Sequence, residues 1–369
     1  MLEHKDHFHG SDLEMIERIY GIKKDEIVSF SANVNPLGIS PLLKKTLAEK
    51  IDCISSYPDR DYKELRETIA QYCRTSPEKI IPGNGSTELI SMIIDIRKPK
   101  KALIIGPTYS EYERELSLMK GKSYYFQLKE KEDFIADTNR LDEQLRDDTD
   151  MLIICNPNNP TSTVIDRSTL RSIMDICKER DIFVMVDETY IEFVDNREKT
   201  EGIPLTDYYN NLFIIRGVSK FFASPGLRLG YAVTGNRDLI REINKRMNPW
   251  SINTLAETAG KIMFKDNEYI EKTSSLIRKE REYVTKRLSS VKGISRVYAP
   301  SANFVLFSID PEYGNADLLF DACIKKKMMI RNCCTFPFLD NRYVRICFMS
   351  NEDNKRLLDV IMEELSEKL

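Results

Sequence analysis

Five short, continuously hydrophobic runs constrain the possible folds of this chain more than any other feature. They are KALIIGP (101–107), MLIICNP (151–157), IFVMVDE (182–188), NLFIIRG (211–217) and LGYAVTG (229–235). Runs of this length without polar alternation are typical of strands covered on both faces, which occur in mainly parallel sheets. Helical patterns separate them; between 169 and 180, for example, Leu170, Ile173 and Cys177 recur at helical spacing. The alternation predicts an α/β fold with its sheet between layers of helices.

The length of 369 residues is large for one hydrophobic core and ordinary for two domains. From about Pro249 the pattern changes: residues 253–291 carry a long, highly charged helical pattern suited to bridging two domains. Strand-like runs follow at 304–309 and 343–348. We therefore predict an N-terminal arm (1–35) that packs with a smaller domain, a large α/β domain (36–248), and an interdomain helix with a small α+β domain (249–369).

Composition and charge exclude several function classes. The formal net charge is −3 with no block of like charge, so we expect neither nucleic acid nor a membrane surface as a partner. All three histidines, His4, His7 and His9, lie near the start, so we predict no histidine-based metal site or catalytic triad in the body of the fold. Eight scattered cysteines without a CxxC pair predict reduced thiols. The charged opening is not a signal peptide, and no stretch approaches a membrane span of ~20 apolar residues, so we expect a cytoplasmic protein.

Polar residues stand near the ends of the predicted strands, where open α/β sheets bind ligands. One group, in GNGSTELI, leads into a helix with free backbone N–H groups facing an anion. The residues of these segments that interest us are Gly85, Ser86, Thr87, Asn159, Asp187, Tyr190, Lys220 and Arg228. Taken singly these signals are weak, because most lysines are solvated and most strand-end aspartates cap helices or form ion pairs.

Together these residues meet one chemical need. A phosphate cradle, a buried carboxylate, a nucleophilic amine and a second cation are what pyridoxal phosphate requires. The lysine forms a Schiff base with the cofactor, and the carboxylate keeps the pyridine nitrogen protonated so that the ring withdraws electrons. We therefore assign Lys220 to the cofactor's aldehyde and Arg228 to its phosphate. The GxGxxG fingerprint of a nicotinamide oxidoreductase is missing.

The segment SKFFASPGLRLGY, with Lys220 and Arg228 eight residues apart, resembles a known family. The chain is similar along nearly its whole length to the fold-type I pyridoxal phosphate enzymes of the class I/II aminotransferase group. Within the group it looks most similar to the branch that holds histidinol-phosphate aminotransferase and threonine-phosphate decarboxylase. The resemblance implies a large domain with a mainly parallel, seven-stranded sheet between helices and a smaller α+β domain.

The resemblance also implies roles for individual residues. Asp187 would pair with the cofactor's ring nitrogen. Tyr190 and Asn159 would hydrogen-bond its 3-hydroxyl oxygen, and Tyr109 in GPTYSEY would stack on its ring. Tyr57 in SSYPDRDY matches a tyrosine that reaches the cofactor phosphate of a neighbouring subunit, which implies a homodimer with shared active sites. The residues implied to contact the cofactor in its own subunit are Gly85, Ser86, Thr87, Tyr109, Asn159, Asp187, Tyr190, Ser219, Lys220 and Arg228.

Two positions depart from the family's pattern. Gly217 stands where the family usually has a serine, three residues before the lysine, so one hydroxyl contact to the phosphate is lost and cofactor retention should be weaker. Ser162 replaces the glycine of the common NPTG turn, which puts the form of that turn in question without removing a donor.

The substrate-binding residues are likewise implied by the resemblance. Arg345 is similar to the residue that clamps the α-carboxylate in a bidentate fork, and Arg331 to one that meets a second anionic group. His9, Gly10 and Asn33, in HFHGSD and VSFSANVNPLG, match substrate-binding positions in the opening of threonine-phosphate decarboxylase. His9 on its own could equally be a plain solvated histidine. A small-molecule phosphorylated amino acid would use this set.

Our leading hypothesis is a decarboxylase of L-threonine O-3-phosphate, as in the cobalamin pathway. The alternative is an aminotransferase of the histidinol-phosphate type; the two reactions differ in which bond at Cα breaks, and no residue pattern decides that. A pyridoxal-binding transcription regulator would need a DNA-binding domain, for which the 35 N-terminal residues are too few and insufficiently basic. The sequence does not exclude one further hypothesis, a non-catalytic relative that binds only pyridoxal phosphate.

Overall fold

The computed structural model of the protein describes residues 12–368. Its strands, in chain order, are β1 (Val28–Ser29), β2 (Ile80–Gly83), β3 (Lys101–Gly106), β4 (Lys122–Gln127), β5 (Met151–Cys155), β6 (Phe183–Asp187), β7 (Leu212–Gly217), β8 (Gly230–Val233), β9 (Ile294–Val297), β10 (Phe304–Ile309), β11 (Met328–Met329), β12 (Arg331–Asn332) and β13 (Tyr343–Cys347). Its α-helices are α1 (Leu13–Tyr20), α2 (Pro41–Glu49), α3 (Lys63–Cys73), α4 (Gly85–Arg97), α5 (Glu111–Leu118), α6 (Thr138–Gln144), α7 (Arg167–Glu179), α8 (Arg197–Thr200), α9 (Arg237–Arg246), α10 (Thr254–Met263), α11 (Asn267–Leu288), α12 (Ala316–Lys325) and α13 (Asn351–Glu364).

A seven-stranded sheet, ordered β2-β8-β7-β6-β5-β3-β4, contains all five hydrophobic runs. The five strands from β4 to β7 in this order are mutually parallel, whereas β8 runs antiparallel to both neighbours. Alternate side chains enter different buried clusters: in β5, Leu152 and Ile154 join one, and Ile153 joins the other. Helices therefore cover both faces, which explains the continuous hydrophobicity. The predicted mainly parallel sheet is confirmed.

The C-terminal third forms a four-stranded antiparallel sheet, ordered β12-β13-β10-β9. The short strand β1 pairs with β11 and ties the N-terminal segment to this region. The charged helical pattern over 253–291 is divided between α10 and α11. The break has a local cause, because the Asp266 side chain accepts a hydrogen bond from the Tyr269 amide and starts a new helix. The domain boundaries themselves remain our proposal.

A buried ion pair joins the ends of β6 and β7. Arg216 Nη2 donates to Glu188 Oε2 over 2.6 Å, both side chains are fully buried, and Glu201 Oε2 lies 3.1 Å from the same nitrogen. Burial raises the pKa of Glu188, and the charge of Arg216 opposes that rise. The pair lies next to Asp187 and Gly217 in the chain, so it fixes the two strand ends that carry the polar residues of interest. Within residues 12–368 no helix combines the length and apolar composition needed to cross a membrane.

Candidate active site

The first part of the site is an anion cradle at the start of α4. Gly85 has a left-handed backbone (φ +82°), and a Cβ there would lie 2.5 Å from Arg228 Nη2. Gly230 is similarly restricted, since a Cβ would come within 2.6 Å of the Ser86 nitrogen. Only glycine therefore lets the guanidinium and β8 approach the first turn of the helix. Free N–H groups of that turn, the hydroxyls of Ser86 and Thr87, and the Arg228 cation together suit a phosphate.

Asp187 ends β6 and is 5% exposed. One carboxylate oxygen accepts from the Thr189 amide (2.9 Å) and hydroxyl (2.6 Å), and the other accepts from the Tyr112 hydroxyl (2.7 Å). Burial raises the pKa of Asp187, and the hydrogen bonds from Thr189 and Tyr112 partly offset the rise. The carboxylate is thus fixed at the strand end, where it can pair with a protonated ring nitrogen.

Lys220 follows β7 and is half-buried. Its Nζ donates to the Ala32 carbonyl over 2.7 Å, and its own carbonyl accepts from the Asn35 amide. Burial, followed by the nearby charge of Arg345, lowers the pKa of Lys220 to about 8. A larger fraction of the amine is therefore neutral at physiological pH than for a solvated lysine, which favours nucleophilic attack on an aldehyde.

Tyr190, Asn33, Asn159 and Arg345 form a second group of contacts. The Tyr190 hydroxyl accepts from Asn33 Nδ2 over 3.3 Å, and burial raises the pKa of Tyr190 to about 12. Arg345 Nη1 donates to Asn159 Oδ1, and Nη2 donates to the Ser31 carbonyl over 2.6 Å. Arg345 Nε and Asn33 Oδ1 are buried without a hydrogen-bond partner among residues 12–368. These two atoms are available to a polar ligand.

Arg331 stands directly opposite Arg345 in the antiparallel pairing of β12 with β13. Both are buried, with 6% and 5% of their surfaces exposed. Arg331 Nη2 donates to the Thr335 hydroxyl over 2.9 Å. Burial lowers the pKa of Arg331 to about 10, and the charge of Arg345 contributes to the lowering. Two guanidiniums therefore share one face of the small sheet.

The remaining sequence-predicted residues have different positions. Tyr109 is half-buried and packs edge-to-face on Tyr112 with ring centroids 5.6 Å apart. Ser219 is half-buried beside Lys220. Tyr57 is 78% exposed and packs on Trp250. His9 and Gly10, implied to bind substrate, lie outside the described residues.

Sequence reasoning missed three neighbours of these residues: Tyr112, Thr189 and Thr335. Tyr112 had a signal, since it is an aromatic residue three positions after Tyr109 in GPTYSEY. Thr189 follows Asp187 by two residues, the spacing of a local side-chain turn. Thr335 had no signal, because its contact with Arg331 depends on the conformation of an irregular loop.

The arrangement fits pyridoxal phosphate. The α4 cradle with Arg228 matches its phosphate, buried Asp187 matches its pyridine nitrogen, and Lys220 has the lowered pKa that an aldehyde-binding amine requires. Tyr190 and Asn159 are buried beside them.

Comparisons with known proteins agree with this fit. Residues 25–361 match the family described as aminotransferase class I and II. The threonine-phosphate decarboxylase of Salmonella typhimurium is 33% identical over 97% of this chain and 96% of its own length. A solved histidinol-phosphate aminotransferase from Clostridium acetobutylicum superposes with a TM-score of 0.85 and 33% identity, covering 91% of this chain and 98% of that one.

A second solved structure, the histidinol-phosphate aminotransferase of Sinorhizobium meliloti in complex with pyridoxal 5'-phosphate, shares the fold. Its TM-score is 0.84 at 19% identity, and the alignment covers 98% of each chain. The family match, the two 33% identities and the residues assembled at the strand ends lead to one conclusion. The chain belongs to the aminotransferase class I and II family and is a pyridoxal phosphate-dependent enzyme.

Proposed function

We propose that the enzyme decarboxylates L-threonine O-3-phosphate. The observation that carries the proposal is the placement of Arg331 directly opposite Arg345. Like charges in directly opposed positions of a sheet are destabilising, and both side chains are buried. A substrate with two anionic groups, a carboxylate and a phosphate, could contact both guanidiniums at once. The similarity to the Salmonella typhimurium decarboxylase supports the same substrate class.

The chain's own residues divide the work of such a reaction. Bound pyridoxal phosphate would supply an electron-withdrawing ring, held by Lys220, Asp187 and the α4 cradle. Arg345 would hold the α-carboxylate through its guanidinium fork, and Arg331 would hold the substrate's phosphate. When the Cα–carboxylate bond breaks and carbon dioxide leaves, Cα needs one proton. Lys220 Nζ, with its pKa lowered to about 8, is the group to which we assign that transfer.

A second candidate is an aminotransferase of the histidinol-phosphate type. The 33% identity to the Clostridium acetobutylicum enzyme favours it, and glutamate, with two carboxylates, would also suit two arginines. The test is to supply the holoenzyme with threonine phosphate and 2-oxoglutarate and follow both carbon dioxide and the oxo acid. We expect carbon dioxide release without loss of oxo acid; stoichiometric loss of oxo acid with no carbon dioxide would reverse the ranking.

We further propose a cytoplasmic homodimer with shared active sites. The exposed Tyr57 and Trp250 rings pack with centroids 4.7 Å apart on the protein surface, which supports a role for Tyr57 in a neighbouring subunit. The eight cysteines are free thiols, in keeping with a reducing compartment. Light scattering of the purified holoenzyme should give twice the 42.8 kDa chain mass, and a monomer mass would contradict the proposal.

A further inference from the structure

Ser162 occupies a position that is unfavourable for any residue with a Cβ. Its backbone is left-handed (φ +62°), and its side chain is fully buried. Its amide donates to the Asn158 carbonyl over 2.7 Å, which closes the turn that contains Asn159. Serine has no intrinsic advantage over glycine in this conformation, so its hydroxyl must contribute something that offsets the backbone cost.

The hydroxyl accepts two backbone hydrogen bonds from a distant segment. The Ala302 amide donates to Ser162 Oγ over 2.9 Å, and the Ser301 amide donates to the same oxygen over 3.2 Å. The Ser301 amide also reaches the Ser162 carbonyl at 2.9 Å. Residues 301 and 302 are separated by one residue from the start of β10 in the four-stranded sheet, whereas Ser162 follows β5 of the seven-stranded sheet. Ser162 therefore joins the regions of the two sheets directly.

The segment that Ser162 binds is held on its other side and leads into the site. Arg281 of α11 donates to the carbonyls of Ser301 (3.0 Å) and Ala302 (3.2 Å). Two residues later, the Phe304 ring lies 5.3 Å from the Arg345 guanidinium and packs edge-to-face on Tyr190 at 5.0 Å. The Ser162 turn also contains Asn159, which accepts from Arg345. Two routes thus connect the hydroxyl to Arg345.

We propose that Ser162 is a positioning residue for the substrate carboxylate. Its hydroxyl holds the 301–304 segment against the Asn159 turn and so sets the position of Arg345 relative to the cofactor residues. The inference rests on the proposed function, in which Arg345 binds the carboxylate. Losing the hydroxyl should weaken substrate binding more than it slows the chemical step or loosens the cofactor.

Two substitutions separate the hydroxyl from the backbone effect. Ser162→Ala removes the hydroxyl and keeps the left-handed residue with its Cβ, whereas Ser162→Gly removes the hydroxyl and relieves the backbone. We expect both holoenzymes to show KM raised by about 5- to 30-fold. The value of kcat should change by less than about threefold, and the pyridoxal phosphate dissociation constant should not change. The Tm of Ser162→Gly should exceed that of Ser162→Ala.

A matched control is Lys98→Gly, since Lys98 is an exposed residue at the end of α4 with the same left-handed backbone (φ +46°). It should leave KM and kcat unchanged. An unchanged KM in both Ser162 variants would overturn the proposal and make Ser162 a tolerated glycine substitute. A change in cofactor affinity at constant KM would overturn it as well, because Ser162 would then act on the cofactor site.

Amide hydrogen exchange tests the contact itself without turnover. We expect the Ala302 amide of the holoenzyme to exchange faster in Ser162→Ala and Ser162→Gly than in the wild type, and to be unaffected in Lys98→Gly. Equal protection in all four proteins would overturn the proposal. If the wild type turns over neither threonine phosphate nor an amino donor, the proposed function fails, whereas the exchange comparison still tests the contact that carries the inference.

Discussion

Gly217→Ser should strengthen cofactor binding, and the structure sets the size of the effect. Gly217 ends β7 with an ordinary backbone, and a Cβ there would lie 3.6 Å from both Cβ and Oγ of Ser86, which is normal van der Waals contact. A serine therefore fits without displacing its neighbours. Its hydroxyl would stand beside the first turn of α4, which we assign to the cofactor phosphate. One added hydrogen bond to an anion contributes about 1–2 kcal/mol, or about 5- to 30-fold in affinity.

The assay is a titration of the apo-protein with pyridoxal phosphate, followed by absorbance or fluorescence at fixed pH and ionic strength. Gly217→Ala is the matched control, because it adds the Cβ without the hydroxyl and should bind the cofactor as the wild type does. Thermal unfolding of the apo-proteins should show that neither variant disturbs the fold. If the serine variant binds no tighter than the alanine variant, the reasoning about the cradle is refuted.

Three further predictions follow from burial and charge. The rate of cofactor uptake by the apo-protein should rise with pH through a midpoint near 8 and level off above it, because the neutral Lys220 amine is the reactive form. Arg345→Met should move the midpoint of this stopped-flow profile to higher pH, and an unmoved midpoint would contradict the assigned charge effect. Arg216→Met should lower the free energy of unfolding in urea by about 3–5 kcal/mol, because Glu188 is left buried without its partner. A loss below about 1 kcal/mol would show that the ion pair is unimportant for stability. Tyr57→Ala should weaken cofactor binding although Tyr57 is exposed in the single chain, and unchanged binding would argue against shared active sites.

The strands that sequence reasoning identified are those buried on both faces. All residues of β5, β6 and β7 are buried, so their composition alone identifies them. The two strands of the seven-stranded sheet that it missed lie at the edges of that sheet. β4 (KSYYFQ) is partly exposed and carries polar residues at both ends, and β2 (IIPG) is short and contains a proline. β4 therefore has no continuous hydrophobic run, whereas β2 is fully buried and was missed because it is too short to stand out.

The site was predictable where function depends on residue type and not where it depends on tertiary contact. Asp187 and Lys220 stand at strand ends, and their assigned roles require a carboxylate and an amine, which few other residue types supply. The buried Arg216 was visible as a charge inside the hydrophobic run 211–217. Its partner Glu188 directly follows another strand, β6, and only the parallel pairing of β6 and β7 brings the two together. The contact between Ser162 and residues 301–302 spans 140 positions in the chain, and no local pattern records it.

The convergence of Lys220 and Arg228 on one cofactor depends on a reversal of strand direction. β8 is antiparallel to β7, and Gly217 is paired with Gly230. The last residue of β7 and the first residue of β8 therefore lie at the same end of the sheet's strands. If β8 were parallel to β7, its first residue would lie at the opposite end of the strands, and Arg228 could not approach Gly85. A short loop joins the two strands, and Arg228 itself adopts a left-handed backbone (φ +55°) as the loop turns back. The spacing of eight residues between lysine and arginine is therefore a consequence of sheet topology. The loop must be long enough to reverse the chain and short enough to keep both cations at the strand ends where we place the cofactor phosphate.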